Sequence, residues 1–386
     1  MHQIWRFNRK IVSHGRILFR EVGTHSELMA AANSEVLENV KEYYGKVLQS
    51  SSDLQTQACV APGRRVTGPV RDAISSVHEA VSARYYGCGL VLPPCVEGCS
   101  ILDLGSGSGR DCFALSRLVG SSGKIIGVDM TEEQNTTARQ YIDYHTTKFG
   151  YESPNVEFVT GYIEDLAAAG LQSDSVDIIV SNCVVNLSPD KMAVLSEAYR
   201  VLKPGGELYF SDVYTDTYLG EETRKDKVLW GECIAGALHW EQVHELGQEL
   251  GFSPPFLVSC SPISIDREDF KAILGDAKFC SVTYRLFKIP PAAKHFASGQ
   301  VIYNGEVPGH EESLPFDHVT SFTTGTPACV RGEVVTALYN SRFFEEFEFA
   351  PGMKEGASQA VERENPFDVI EAKVESACCG PSEKCC

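Results

Sequence analysis

Apolar positions in residues 100–212 follow two alternating periodicities. Short apolar runs predict β-strands at 101–104, 124–129, 156–160, 176–181 and 207–212, and amphipathic stretches predict helices at 110–119, 132–149 and 189–202. Strands that alternate with helices favour a Rossmann-like α/β fold with a doubly wound, mostly parallel sheet. Ligands of such sheets bind at the carboxyl ends of the strands.

The flanking segments show other patterns. Helical spacing recurs over 29–48 and 70–86, and the Ser-, Gly- and Pro-containing stretch between them predicts a mobile loop. After residue 290, short strands with polar turns replace the alternation. We therefore expect an N-terminal extension (1–28), a helical cap with a mobile cysteine loop (29–99), a central domain (100–290), a small C-terminal domain (291–350) and a flexible, Cys-containing tail (351–386).

The first twenty residues are basic and contain no acidic residue. Their arginine content resembles a transit peptide, but Ser13 is the only serine among them. The favoured interpretation is an extension ahead of Met29, which opens a plausible N-terminus.

Charge and cysteine content narrow the class of protein. The 386 residues include 52 acidic and 34 basic side chains, a net charge of −18, which disfavours a nucleic-acid partner. No apolar run reaches the ~20 residues that a membrane helix needs. Fourteen cysteines in a long chain without a clean signal-peptide core indicate reduced thiols in the cytosol. We expect a cytoplasmic monomer that acts on a small molecule.

A glycine-rich loop follows the first strand and opens the next helix. Gly105, Gly107 and Gly109 let the backbone pass close to a ligand, a feature that nicotinamide and flavin enzymes share. Asp103 precedes the glycines and can accept hydrogen bonds from an ammonium group. Asp129 closes the second strand, where a carboxylate can bind both ribose hydroxyls. Together they favour S-adenosylmethionine; either carboxylate alone could simply cap a helix.

Residues 161–165, after the third strand, are placed to contact the adenine and add to this assignment. The candidate cofactor-binding residues are Tyr86, Asp103, Gly105, Ser106, Gly107, Gly109, Asp129, Met130, Gln134, Ile163, Glu164 and Asn182.

Four cysteines accompany this loop. Cys183 lies at the end of the fourth strand, the point that faces a bound methyl group in this fold, and Cys233 lies 50 residues further on in a helical segment. Cys88 follows two tyrosines in the helical cap, and Cys59 lies in the mobile loop. The cysteines interpreted as small buried apolar residues or as loop thiols are Cys95, Cys99, Cys112, Cys260, Cys280 and Cys329. None of the four forms a C-x₂-C pair, so we expect no structural metal.

These residues resemble the arsenite methyltransferases of animals. The resemblance runs from about residue 30 to about residue 350, and its matching segments are 43–45, 53–56, 84–90, 101–112, 181–187, 207–214 and 230–236. It implies a class I methyltransferase fold and transfer of methyl groups from S-adenosylmethionine to trivalent arsenic, giving mono- and dimethylated arsenicals in arsenic detoxification. The implied substrate is arsenite or its thiol conjugates.

The resemblance also implies roles for the four cysteines. Cys183 and Cys233 would hold arsenic, with Cys88 as the third thiol, because thiolates are the ligands that soft ions prefer. Methyl transfer oxidises arsenic to the pentavalent state, and a thiol pair can return two electrons by forming a disulfide. Our hypothesis is that Cys59 and Cys88 form that transient pair and that thioredoxin or glutathione reduces it again.

Two other functions stay open from the residues alone. A carbon- or oxygen-directed methyltransferase would need a base for its acceptor proton, and His78, His239 and His244 are the candidates. A non-enzymatic arsenic- or zinc-binding protein would keep Cys183 and Cys233 but would need no intact glycine loop.

Overall fold

The computed structural model describes residues 25–48, 50, 53–56, 58, 66–351, 353–356 and 363–378. The predicted extension over 1–28 therefore lies mostly outside the described residues. In the part of the chain that is described, no helix is both long and apolar enough to cross a membrane.

The central sheet contains the strands β1 (Ser100–Leu104), β2 (Lys124–Asp129), β3 (Val156–Thr160), β4 (Val176–Asn182), β5 (Leu202–Thr215), β7 (Phe256–Ile263) and β8 (Phe279–Phe287). These seven strands lie side by side in the order β3-β2-β1-β4-β5-β8-β7. Strands β1 to β5 are parallel to one another, β8 pairs antiparallel with both β5 and β7, and the short β6 (Leu238–His239) pairs with the end of β5. The predicted mostly parallel, doubly wound fold is confirmed.

Helices pack beside the sheet. They are α4 (Arg110–Val119), α5 (Glu132–Gln140), α6 (Ile142–Phe149), α7 (Lys191–Val201), α8 (Glu221–Arg224), α9 (Lys227–Gly231), α10 (Gln242–Leu250) and α11 (Glu268–Leu274). The single helix predicted over 132–149 is two helices, because the backbone leaves the helical conformation at Tyr141.

The N-terminal cap consists of α1 (His25–Glu42), a π-helical turn (Tyr43–Val47), α2 (Gly68–Ser76) and α3 (Glu79–Ser82). The helix predicted over 70–86 is interrupted at His78, whose side chain caps α3 by accepting a hydrogen bond from the Ala80 amide. The π-helical turn follows α1 and places Tyr44 at the carboxyl ends of the strands.

The C-terminal part is a small mixed unit. Its strands are β9 (Phe296–Tyr303), β10 (Ser313–Pro315), β11 (Ser321–Thr323), β12 (Pro327–Arg331), β13 (Phe347–Phe349) and β14 (Lys354–Glu355), with α12 (Gly332–Tyr339) beside β9. Its buried side chains form one cluster with Phe256, Phe287 and Ile289 of the central domain.

A last helix, α13 (Pro366–Cys378), lies within the segment predicted as a flexible tail. Phe367 and Ile370 pack against the central core, and Glu371 lies 3.5 Å from Lys278. The sequence does not predict this helix, because its apolar positions are few and the segment around it is polar. The terminal cysteines Cys379, Cys385 and Cys386 lie outside the described residues.

Three buried charges join the C-terminal unit to the sheet. Glu207 of β5 lies 2.6 Å from Nε of Arg285 in β8 and 2.5 Å from Nη1 of Arg342, which follows α12. Burial by itself raises the pKa of Glu207, but the two guanidinium groups outweigh burial and hold the pKa below its ordinary value. Arg342 also donates to the carbonyl oxygens of Pro94 and Cys95, so one side chain connects three segments.

Replacing Arg342 with methionine is expected to lower the free energy of unfolding by about 3 kcal/mol, because a buried carboxylate loses one of its two partners. Urea unfolding measures this. Lys225→Met is the control: Lys225 is 65% exposed and its partners Glu221 and Glu222 are both 91% exposed, and such surface pairs contribute about 1 kcal/mol or less. Equal losses in the two variants would contradict the prediction.

Candidate active site

The glycine loop connects β1 to α4 through three glycines with positive φ. Gly105, Gly107 and Gly109 have φ of +69°, +53° and +87°, values that side chains disfavour. A Cβ atom at Gly109 would lie 2.6 Å from the Phe158 ring, so the loop also packs too closely for a larger residue. The sequence therefore fixes a loop whose backbone borders the strand ends.

Asp129 at the end of β2 is fixed by this loop. Its Oδ2 accepts a hydrogen bond from the Gly107 amide at 2.9 Å, and its Oδ1 accepts one from the Thr131 amide at 2.8 Å. Burial raises the pKa of Asp129, and the two amides oppose that rise. The carboxylate is thereby held at the cavity wall, in the position where this fold binds ribose hydroxyls.

A second acidic group lies at the other end of the loop. Asp103 is buried and accepts a hydrogen bond from the Cys112 thiol at 3.2 Å. Burial, followed by the nearby Asp111 carboxylate, raises the pKa of Asp103 well above its ordinary value. Asp111 accepts hydrogen bonds from Arg110 and Asn182. Two buried carboxylates beside one cavity favour a cationic ligand there.

All of the predicted cofactor residues except Gly109 line one cavity at the carboxyl ends of the strands. Gly109 does not line the cavity; it is the N-cap residue of α4. The cavity also includes residues that sequence reasoning missed: Leu37, Val40, Tyr44, Arg84, Tyr85, Arg110 and Asp111. Asp111 has a signal in the sequence, a carboxylate two residues after the last glycine of the loop.

Three polar atoms of this cavity have no hydrogen-bond partner among the described residues. They are the hydroxyl of Tyr86, Oγ of Ser106 and Oε1 of Gln134, and all three are buried. Buried polar atoms without partners are costly, so such a group indicates a ligand that would supply the bonds. These polar atoms and the carboxylates of Asp129, Asp103 and Asp111 fit S-adenosylmethionine, which carries hydroxyls, a sulfonium and an ammonium.

Tyr44 connects the cofactor cavity to the thiols. Its carbonyl oxygen accepts a hydrogen bond from Nε2 of Gln134 at 3.1 Å. Its hydroxyl donates to the carbonyl oxygen of Gly231 and lies 4.0 Å from Sγ of Cys233. Its ring meets the Tyr86 ring edge-on at 5.5 Å. The periodicity of the sequence does not predict these contacts of Tyr44, because they depend on the π-helical turn.

Cys88, Cys183 and Cys233 meet in one buried apolar cluster. Cys183 also lines the cofactor cavity, and its carbonyl oxygen accepts a hydrogen bond from the Cys233 thiol at 3.1 Å. The cluster's other members include Val40, Ala58, Leu187, Val213, Leu229, Ile234 and Phe279. The structure thus brings together three of the four predicted cysteines, and Cys59 lies outside the described residues.

Two of these cysteines, Cys183 and Cys233, have left-handed backbone conformations. Cys183 follows β4 with φ of +58°, and Cys233 follows α9 with φ of +63°. For residues other than glycine this region costs on the order of 1–2 kcal/mol, and such strain concentrates at functional sites.

Cys88 forms a disulfide with Cys183, with Cα atoms 5.8 Å apart. The Cys88 carbonyl oxygen accepts a hydrogen bond from Ser281 at 2.6 Å, which fixes this part of the cap on β8. Among the described residues no three His, Cys, Asp or Glu side chains form a metal-binding group. The predicted Cys59–Cys88 pair stays a prediction.

Lys191 and Trp230 fix the turn that follows Cys183. Nζ of Lys191 donates to the carbonyl oxygens of Asn186 and Ser188, and Nε1 of Trp230 donates to that of Leu187. The ammonium lies 5.4 Å from the Trp230 ring centre, and burial lowers the pKa of Lys191 to about 8. Since Trp230 belongs to α9, this contact sets the Cys183 turn relative to the helix that precedes Cys233.

The histidines named for the alternative enzyme do not line the cavity. His78 caps α3, His239 stacks on Tyr218, and His244 is buried, which lowers its pKa to about 4. The described cavity wall therefore offers no histidine base for an acceptor proton.

A doubly wound sheet with this loop and these carboxylates defines a class I S-adenosylmethionine-dependent methyltransferase. A methyltransferase-domain family model matches residues 96–251, and a model for the arsenite methyltransferase C-terminal domain matches residues 297–386. The second match covers both the predicted small domain and the segment predicted as a tail.

Similar proteins identify the family within this class of methyltransferase. The human arsenite methyltransferase is 47% identical over 93% of this chain and 100% of the relative, and that of Aquipseudomonas alcaligenes is 51% identical over 81% and 90%. The crystal structure of CrArsM, an arsenic(III) S-adenosylmethionine methyltransferase from Chlamydomonas reinhardtii, superposes with a TM-score of 0.72 at 39% identity, covering 77% of this chain and all of that one. The chain belongs to the arsenite methyltransferase family and methylates arsenic with S-adenosylmethionine as donor.

Proposed function

We propose that Cys183 and Cys233 bind trivalent arsenic as thiolates, with Cys88 as the third ligand. One observation carries the proposal: Cys183 lines the cofactor cavity and contacts Cys233 at the same time. A metalloid held by both sulfurs would therefore lie at the methyl end of the cavity.

Methyl transfer to arsenic requires the protein to position the substrate and to exclude water. S-adenosylmethionine supplies an electrophilic methyl group on a sulfonium. Arsenic held by three thiolates keeps a lone pair, so no proton must be removed from the acceptor. Cys183 and Cys233 orient the substrate, and the apolar side chains around them exclude water from it.

A thiol reductant, glutathione or thioredoxin, follows from the same proposal. While Cys88 and Cys183 are joined, neither sulfur can act as a thiolate ligand. Two thiols of the reductant would reduce this bond and become a disulfide themselves, releasing Cys88 and Cys183 for arsenic. Because the site works only with reduced thiols, we also propose a cytosolic location.

Successive methylation needs a further reduction. Each transfer leaves arsenic formally pentavalent. When the Cys59 thiolate attacks the Cys88 sulfur that is bound to arsenic, the arsenic–sulfur bond breaks, the two sulfurs join as a disulfide, and the electron pair of the broken bond returns to arsenic. We assign this step to Cys59 and Cys88, with the reductant regenerating both thiols, so that mono- and dimethylated arsenicals are released.

Replacing Cys59 with serine is expected to preserve the first methylation within about twofold and to slow the second about tenfold or more, because a positioned thiol is lost. Chromatography of mono- and dimethylated arsenic over time measures each step. Cys329→Ser, at an exposed cysteine, is the control. A second methylation as fast as in the wild type would exclude the relay.

The central test uses arsenite, methyl-labelled S-adenosylmethionine and either glutathione or thioredoxin with its reductase. We expect labelled methylarsenic in both reductant arms and none without a thiol. Label in a carbon or oxygen acceptor in place of arsenic would overturn the proposed site.

A further inference from the structure

The carboxylate of Glu232, the residue before Cys233, is fully buried and lies outside the cofactor cavity. Four donors surround it. Oε1 accepts hydrogen bonds from the Tyr43 hydroxyl at 2.5 Å and the Gln55 amide at 2.9 Å, and Oε2 accepts them from the Thr56 amide at 2.8 Å and the Thr56 hydroxyl at 2.7 Å. A carboxylate has about four acceptor positions, so this one is saturated.

All four donors belong to the N-terminal cap. Residues 53–56 and Ala58 are here called the thiol cover; they belong to no strand of the sheets. Oγ1 of Thr56 accepts a hydrogen bond from the Ala58 amide at 3.2 Å, which continues the network along the chain. Burial of a charge is costly unless its partners are complete, so release of the cover would leave Glu232 unpaired.

The thiol cover lies against the cysteines. Ala58 is fully buried, and its carbonyl oxygen is 4.0 Å from Sγ of Cys183. Leu54 packs against the apolar cluster that contains the three cysteines. The point of attachment, Glu232, is joined by one peptide bond to Cys233. Glu232 therefore holds the thiol cover next to Cys233, one of the predicted arsenic ligands.

We propose that Glu232 is a positioning residue that fastens the thiol cover over the arsenic site. This inference rests on the proposed role of the cysteines. Fastening closes the site to water and to competing thiols while arsenic is bound. Glu232 touches neither the cofactor cavity nor the transferred methyl group, so its loss acts on arsenite and not on S-adenosylmethionine.

Glu232→Gln keeps the size of the side chain but replaces one acceptor oxygen with an NH₂ group that faces donors. We expect the KM for arsenite to rise about tenfold, the effect of one charged hydrogen bond, with the KM for S-adenosylmethionine within about twofold. Hydrogen exchange of the amides at 55, 56 and 58 should become faster. Glu222→Gln, at a 91% exposed side chain, removes the same charge and is the control.

Thr56→Val removes the hydroxyl donor from the opposite side and leaves Glu232 intact, so the test does not depend on the folding of one variant. It should raise the same KM and the same exchange rates, and the double variant should be less than additive because both act on one network. Exchange and KM for arsenite unchanged in both single variants would overturn the inference. Arsenic methylation by Cys183→Ser or Cys233→Ser at the wild-type rate would instead overturn the proposed function.

Discussion

Serine at position 183 is expected to lower arsenic methylation at least about 10³-fold, because a hydroxyl is a hard and barely ionised ligand that cannot replace a thiolate on a soft centre. Cys183→Ser should leave the dissociation constant of S-adenosylmethionine within about twofold, since the cavity keeps its other walls. Calorimetry with the cofactor and a methyl-transfer assay with arsenite separate the two effects.

Cys233→Ser should behave in the same way, although Cys233 does not line the cofactor cavity. Cys329→Ser is again the control, because that thiol is exposed on β12. Substantial activity in either Cys183→Ser or Cys233→Ser would show that arsenic is held elsewhere. Loss of cofactor binding in Cys183→Ser would show that the cysteine shapes the cavity rather than the substrate site.

Alanine in place of Asp129 is expected to raise the KM for S-adenosylmethionine about 10²–10³-fold, the cost of two hydrogen bonds to a charged group. The same change frees the amides of Gly107 and Thr131, so the glycine loop also loses its anchor. At saturating cofactor, kcat should fall by no more than about tenfold, because the thiols keep their positions.

Initial rates over a wide range of S-adenosylmethionine concentration measure the effects on KM and on kcat separately. Glu152→Ala, at an exposed carboxylate outside the cavity, removes the same charge and should leave both constants unchanged. A KM that stays constant in Asp129→Ala while kcat collapses would contradict a role in binding the nucleoside.

The sequence predicts the parallel strands β1 to β5 because each contains a short apolar run beside clear turn residues, but it does not predict β6, β7 or β8. The helix over 110–119 and the strands over 124–129 and 156–160 coincide with the structure. Buried parallel strands and glycine loops have local signatures, and the cavity at their ends follows from topology alone.

Contacts between distant segments have no such signature. The saturation of Glu232 depends on residues about 180 positions earlier, and Arg342 reaches Glu207 from another unit. Each of these residues looks like an ordinary charged surface residue in the chain. A polar side chain at a buried, non-local contact obeys no periodicity, so only the folded structure identifies it.

The left-handed conformations of Cys183 and Cys233 bear on transfer of this site to other scaffolds. A cysteine within a regular strand or helix directs its Cβ along that element's own pattern, which neither of these residues follows. Two cysteine substitutions in a methyltransferase that lacks these left-handed turns would therefore aim the thiols wrongly. A graft must carry the two turns, residues 182–188 and 230–236, together with the side chains that hold them.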